Sequence, residues 1–228
     1  MVKRGALRAG VLLAACALGG CFDASTASLL VIDNFDSGDL QPSDDGFGMW
    51  GCYAINPKEN PNVSCSFSKD SEDGSASSIV LDVTVTDVLD GLQQHGGAAM
   101  KTAAVKGPVD FTRHGRIAFD QKLESGSPNS LPAAALLYVE LGCSTVTDES
   151  GTLHDLYVSQ GVAYTSVWHY KALTLDNFGP PPWLAEPIQG GTTACLQHVD
   201  AVRFSIDAQL PDGTVGEGIL HIDNVVLE

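Results

Sequence analysis

The chain has 228 residues, 28 Asp and Glu against 12 Lys and Arg, and a formal charge of −16. That balance excludes nucleic acid as a partner, because phosphate binding needs clustered cations to displace counterions. With 44% hydrophobic residues the chain buries enough apolar surface for one large all-β domain. Its acidity then serves a solvated surface or, in part, oxygen ligation of a divalent cation such as Ca²⁺.

The first element is a signal. Lys3, Arg4 and Arg8 precede an apolar run over about residues 11–18, too short to span a bilayer, and small residues follow. The stretch Leu18-Gly19-Gly20-Cys21 resembles the lipobox of bacterial lipoproteins, in which Leu and two small residues precede an acceptor Cys. The resemblance implies cleavage before Cys21, a diacylglycerol thioether on its sulfur and, usually, an amide-linked acyl chain. Two or more chains hold firmly, since each buried methylene contributes about 0.8 kcal/mol. A plain signal peptide cut elsewhere, with Cys21 an incidental thiol, is the alternative. In enteric lipoproteins an Asp directly after the Cys favours inner-membrane retention; Phe22 stands there and implies the outer membrane. The expected layout is signal peptide 1–20, tether 21–28 and a single β-sandwich domain over 29–228. Losing the signal removes three cations and no acid, which takes the formal charge to −19.

Ordered structure is expected to begin at Leu29-Leu30-Val31-Ile32. Ser78–Thr86 alternates, with Ile79, Leu81, Val83 and Val85 on one face, the pattern of a half-buried strand. Further strands are expected at 98–105, 115–123, 133–141, 153–158, 162–175, 199–206 and 218–227. Asp148-Glu149-Ser150-Gly151 and Pro211-Asp212-Gly213 read as hairpin loops, and Ser125-Gly126-Ser127-Pro128-Asn129 as a third turn cluster. Gly179-Pro180-Pro181-Pro182 and Gly190-Gly191 read as long loops. No stretch of twelve residues carries a 3.6-residue apolar period. Many short strands without helices between them indicate an antiparallel β-sandwich or jelly roll.

Cys16 leaves with the signal and Cys21 takes lipid, so Cys52, Cys65, Cys143 and Cys195 remain in an oxidising compartment. Of three pairings, Cys52–Cys65 and Cys143–Cys195 are favoured, the first closing a loop rich in Asn and Pro. None of these cysteines has the close CxxC spacing of structural zinc.

Sequence signals of catalysis are missing: no GxSxG elbow, no HExxH helix and no phosphate-cradling glycine loop. His95, His114, His154, His169, His198 and His221 are scattered, although His221 and Asp223 share a strand face. The tripeptides Ile32-Asp33-Asn34 and Ile222-Asp223-Asn224 sit at the two ends of the domain. Each sets an acid among apolar β residues, where an unpaired carboxylate is costly. Two resolutions stay open. Asp33, Asp36 and Asp223 ligate a shared structural Ca²⁺, or these acids cap turns and accept backbone hydrogen bonds.

Ile32-Asp33-Asn34-Phe35-Asp36, then 110–119, then Trp168 through Leu175-Asp176-Asn177-Phe178 to Trp183, then Ile222-Asp223-Asn224-Val225 follow in order. The series resembles the galactose-binding-like jelly rolls, which include carbohydrate-binding modules and the complex I intermediate-associated proteins. It implies an all-β, galactose-binding-like jelly roll that is non-catalytic and binds a polysaccharide. Aromatic rings suit that task, because a ring face packs on the apolar face of a sugar while polar neighbours bond its hydroxyls. Trp50, Tyr53, Tyr164, Trp168, Tyr170 and Trp183 are the candidates. Trp50 and Tyr53, among glycines near the Cys52–Cys65 loop, are expected to be the exposed ones. Two alternatives remain: an envelope lipoprotein that binds protein and no sugar, and a polysaccharide-degrading enzyme with two close carboxylates in a cleft.

Overall fold

A computed structural model of the protein describes residues 29–35, 47–54, 64–68, 78–86, 96–125, 136–151, 157–163, 165–181, 187–208 and 215–228. They form eleven strands: β1 Leu30–Asp33, β2 Gly51–Ala54, β3 Ser64–Ser68, β4 Ser78–Thr86, β5 Gly96–Ala103, β6 Arg116–Ser125, β7 Leu136–Gly142, β8 Tyr157–Val162, β9 His169–Thr174, β10 Ala201–Ala208 and β11 Val215–Leu227. All pairings are antiparallel. One sheet runs β3-β4-β11-β6-β9 with β1 also on β11; the other runs β2-β5-β10-β7-β8. β11 is long because it serves two partners along one flank, β4 over residues 215–222 and β1 over 225–227, with β6 on its other flank.

The sheets face each other across a core in which aromatic rings run from one to the other. Phe119 of β6 meets Phe204 of β10 edge to face at 4.9 Å, Phe204 stacks on Trp50 at 6.1 Å, and Trp50 meets Phe35 at 5.5 Å. Strict alternation along β10 buries Val202, Phe204 and Ile206 in that core and turns Ala201, Arg203 and Ser205 to the opposite face.

Strands expected at Ser78–Thr86 and elsewhere are present, several shifted by a few residues: 153–158 becomes β8, and 162–175 shortens to β9. β2 and β3 had no strand signal. The Asp148–Gly151 turn forms, with Gly151 at φ +81° and its N–H on the Asp148 carbonyl, within the connection between paired β7 and β8. Pro211-Asp212-Gly213, expected as a hairpin loop, lies outside the described residues; the strands on either side of it, β10 and β11, belong to different sheets. Gly190-Gly191 opens a short helix, α1 Gly191–Leu196, in place of an irregular loop. Gly190 has φ +77°, and a Cβ there would lie 2.9 Å from that of Ala194, so both conformation and space require glycine. Among the described residues no helix is long and apolar enough to cross a membrane.

Cys143 and Cys195 are joined, tying the end of β7 to α1. Cys52 is also disulfide-bonded. Its expected partner Cys65 pairs in the ladder with Leu81, which itself pairs with the buried Leu220; the Cys65 side chain lies outside the described residues. Closing a loop of 52 residues restricts the unfolded chain by about 4 kcal/mol. Replacing Cys143 and Cys195 together by Ala is therefore expected to lower unfolding stability by roughly that amount in urea titrations. An unchanged midpoint would show that the bridge contributes nothing.

Candidate functional site

The outward face of the five-stranded sheet holds a built polar and aromatic surface. Ladder register places Tyr53, Ala99, Ser205, Tyr138 and Gly161 in one row across β2, β5, β10, β7 and β8. The adjoining row is Gly51, Lys101, Arg203, Glu140 and Ser159. In the first row two tyrosine positions stand three strand spacings apart, about 14 Å, with Ala and Ser between them. Ala99 and Ser205 are buried, whereas Tyr138, Lys101 and Ser159 are half-buried, so the small residues form a recessed floor between taller neighbours.

Glu140 organises that floor. It is 1% exposed, yet it lies on the face turned away from the core, where its neighbours supply donors. Arg203, at the facing position on β10, donates from both Nε and Nη2 to the two carboxylate oxygens, and the Ser205 hydroxyl donates to Glu140 Oε2 at 2.8 Å. Such a forked pair fixes a long side chain in one geometry. None of these residues stood out in the sequence, although a charged residue inside each of two apolar strands, at 140 and 203, was the available signal.

Of the six candidate rings, the structure describes the side chains of Trp50, Trp168 and Tyr170. Trp50 was expected to be exposed and is not: it is 3% exposed, between Phe35 and Phe204, with its indole N–H on Asp33 Oδ2 at 2.9 Å. Its glycine-rich surroundings let the chain pass close to the core rather than lift the ring off it; Gly48 is packed so tightly that a Cβ would meet Val105 at 2.9 Å. Trp168 and Tyr170, two apart in the sequence, share the outward face of the six-stranded sheet. Trp168 packs edge to face on His221 at 5.8 Å, and Tyr170, opposite Asp120, donates its hydroxyl to Glu228 Oε1 at 2.7 Å. That hydrogen bond, with some burial, raises the Tyr170 phenol above its ordinary pKa. Tyr53 is placed by the backbone of β2 alone; Tyr164, Trp183 and Cys21 lie outside the described residues.

His221 and Asp223 are both buried on the outward side of β11, as their spacing implied. His221 Nδ1 lies 3.3 Å from Ser78 Oγ, and its Nε2 is 3.7 Å from Glu124. Of the expected calcium ligands, Asp33 takes the Phe35 N–H on Oδ1 and the Trp50 N–H on Oδ2, and Asp223 takes the Asn224 N–H on Oδ1. Asp36 lies outside the described residues. Ca²⁺ takes six to eight oxygens, and among the described residues no three acidic, His or Cys side chains converge. The Asp33 and Asp223 carboxylates thus act as hydrogen-bond acceptors. Each sits at a ladder irregularity, between Val31 and Asp33 and between Asp223 and Val226. Each also precedes a left-handed residue, Phe35 at φ +53° and Asn224 at φ +50°. The repeated tripeptide thus marks two β-bulges, where the Asp side chain bonds a backbone N–H that the irregular ladder releases.

Comparison with solved structures decides the fold type. A family 11 carbohydrate-binding module from Clostridium thermocellum, in complex with a β-1,3-1,4-mixed-linked tetrasaccharide, superposes with a TM-score of 0.54 at 16% identity, covering 87% of this chain and 94% of that one. The fold is a galactose-binding-like jelly roll. A family 11 module studied in solution gives a TM-score of 0.54 at 15% identity, over 90% of this chain and 96% of that one. The module of the cellulosomal cellulase Lic26A-Cel5E of Clostridium thermocellum gives 0.52 at 15%, over 88% and 94%. No family model and no curated protein matches the sequence. The jelly-roll expectation, including its likeness to carbohydrate-binding modules, therefore holds at the level of architecture.

Because Glu140 and Arg203 are nearly buried, removing one charge strands the other. Glu140→Ala is expected to cost about 3–5 kcal/mol of unfolding stability, while the double change Glu140→Leu with Arg203→Met costs far less. Chemical denaturation of the two variants checks this; equal losses would mean the pair is not the source.

Proposed function

We propose that this chain is a non-catalytic carbohydrate-binding module, held at the bacterial envelope by acyl chains on Cys21, on the outer membrane, with a polysaccharide as its partner. The observation that carries the binding reading is the pair of rows on the five-stranded sheet: tyrosine positions at 53 and 138 around a floor of Ala99 and Ser205, beside Lys101, Arg203, Glu140 and Ser159. Ring faces suit the apolar side of a pyranose, and the adjoining charged and hydroxyl groups suit its hydroxyls. The fold shared with a module seen with a β-1,3-1,4-linked tetrasaccharide makes mixed-linked β-glucan the first ligand to try. The anchor reading is supported by Leu18-Gly19-Gly20-Cys21 behind a basic and apolar leader, and the membrane by Phe22 after the acceptor Cys.

Titration calorimetry with mixed-linked β-glucan oligosaccharides, preceded by a glycan array, tests the binding reading. Tyr138→Ala is expected to weaken binding at least tenfold without lowering the melting temperature, while Tyr170→Ala, on the other sheet, leaves affinity unchanged. Trp50→Ala is expected to unfold the core first, by about 3–5 kcal/mol. Failure to bind any arrayed glycan would favour a protein-interaction role. Loss of affinity with Tyr170→Ala but not Tyr138→Ala would move the site to the six-stranded sheet.

A further inference from the structure

The connection between β5 and β6 crosses from one sheet to the other and closes a corner of the sandwich. It is pinned on one side by the Ala104 N–H on the Asp200 carbonyl and by Val109 bonded both ways to Val199, and on the other by the Gly115 and Arg116 N–H groups on the Glu228 carbonyl. Glu228 follows the last residue of β11, and Leu30 pairs with Leu227, so Leu29 stands at this same corner. Seven residues, 22–28, separate Leu29 from Cys21, and the eight steps between them span at most about 29 Å when extended.

What the corner presents differs from the rest of the surface. Val105 and Met49 are exposed by 65% and 57%, and they are neighbours across Gly48; Leu29 is exposed by 60%. Residues 105–116 carry Lys106, Arg113 and Arg116 against one acid, Asp110; Arg116 also pairs with Glu228 at 2.8 Å, yet both arginine side chains stay more than half exposed. Asp110 is spent locally: it accepts from the Thr112 N–H at 3.0 Å and the Thr112 hydroxyl at 2.5 Å, and it pairs with Arg113. Thr112 thereby holds its carboxyl below the ordinary range. Even with the adjoining Asp176, Asp200 and Glu228 counted, the corner carries three cations against four acids. The rest of the chain after residue 20 carries six against 24.

We infer that this corner, Leu29, Met49 and Val105 with Lys106, Arg113 and Arg116, is the face that rests on the anionic bilayer holding the anchor. A tether this short brings a strongly acidic body within a few Debye lengths of anionic headgroups, where most of its surface is repelled. The corner from which the tether leaves is far less acidic than the rest, with exposed arginines that can exchange their carboxylate partners for phosphate and apolar side chains to enter the interface. The outward rows of the five-stranded sheet then stand beside the bilayer, clear for a polymer. The inference rests on the proposed anchor.

The test uses the full lipidated chain in phosphatidylglycerol vesicles and the Cys21→Ser chain free in solution. Oxidation of Met49 and acetylation of Lys106 by a water-soluble reagent are read by peptide mass spectrometry, with Lys171, midway along β9, as the internal reference. Both reactions are expected to slow at least threefold in the vesicle-bound chain, with Lys171 unchanged. Joining Val105→Asp, Lys106→Glu and Arg113→Glu should restore free-chain oxidation of Met49 while the protein still sediments with vesicles and melts at the same temperature. Equal labelling of the bound and free wild-type chains would overturn the docking corner and leave the anchor standing. An unacylated Cys21 and a chain that stays in the supernatant would remove the anchor, and the corner's role with it.

Discussion

A buried indole and a buried carboxylate hold the two sheets in register with each other. Trp50 enters the core just before β2, in the five-stranded sheet, and Asp33 ends β1, in the six-stranded one. Neither group belongs in an apolar interior alone. The indole N–H costs free energy without an acceptor, and the carboxylate costs more without donors. Their hydrogen bond at 2.9 Å solves both problems and fixes the spacing at which Phe35, Trp50, Phe204 and Phe119 meet. The second Asp33 oxygen takes the Phe35 N–H, which stabilises a left-handed backbone at a residue that otherwise avoids it and turns that ring inward.

A similar economy governs the outward face of the five-stranded sheet. Glu140 is as buried as a core residue, yet it faces away from the core, and the cost is met by Arg203 and Ser205. A floor built this way is rigid. The guanidinium has one orientation, the serine hydroxyl is committed, and the tyrosine positions on either side keep their spacing because the strands beneath them do. Rigid platforms bind any ligand with less ordering cost than mobile ones.

The architecture was legible wherever apolar alternation is strong. Ile79, Leu81, Val83 and Val85 announce β4, and Val202, Phe204 and Ile206 announce β10. β2 and β3 were silent because Gly51-Cys52-Tyr53-Ala54 and Ser64-Cys65-Ser66-Phe67-Ser68 carry almost no apolar period; pairing to β5 and β4 makes them strands. Trp50 was misjudged because a ring among glycines reads as exposed, whereas Gly48 serves close backbone packing against Ala103. The two Ile-Asp-Asn tripeptides were visible as a repeat. Their use at bulges was not, since a bulge is a property of two strands in register. The candidate site was hidden for the same reason. Tyr138, Glu140 and Arg203 are neighbours only across the order β10-β7, which no local pattern encodes.

That order has a temporal side as well. β11, the last of the eleven strands, is the centre of its sheet: β1, β4 and β6 all bond to it. Until residues 215–227 are present, the first strand has no partner and half the sandwich lacks its spine. A nascent chain of this topology stays open through most of its synthesis, and its contacts are mostly long-range, which slows closure further. The arrangement that makes the finished sandwich cooperative also keeps the unfinished one open to the last.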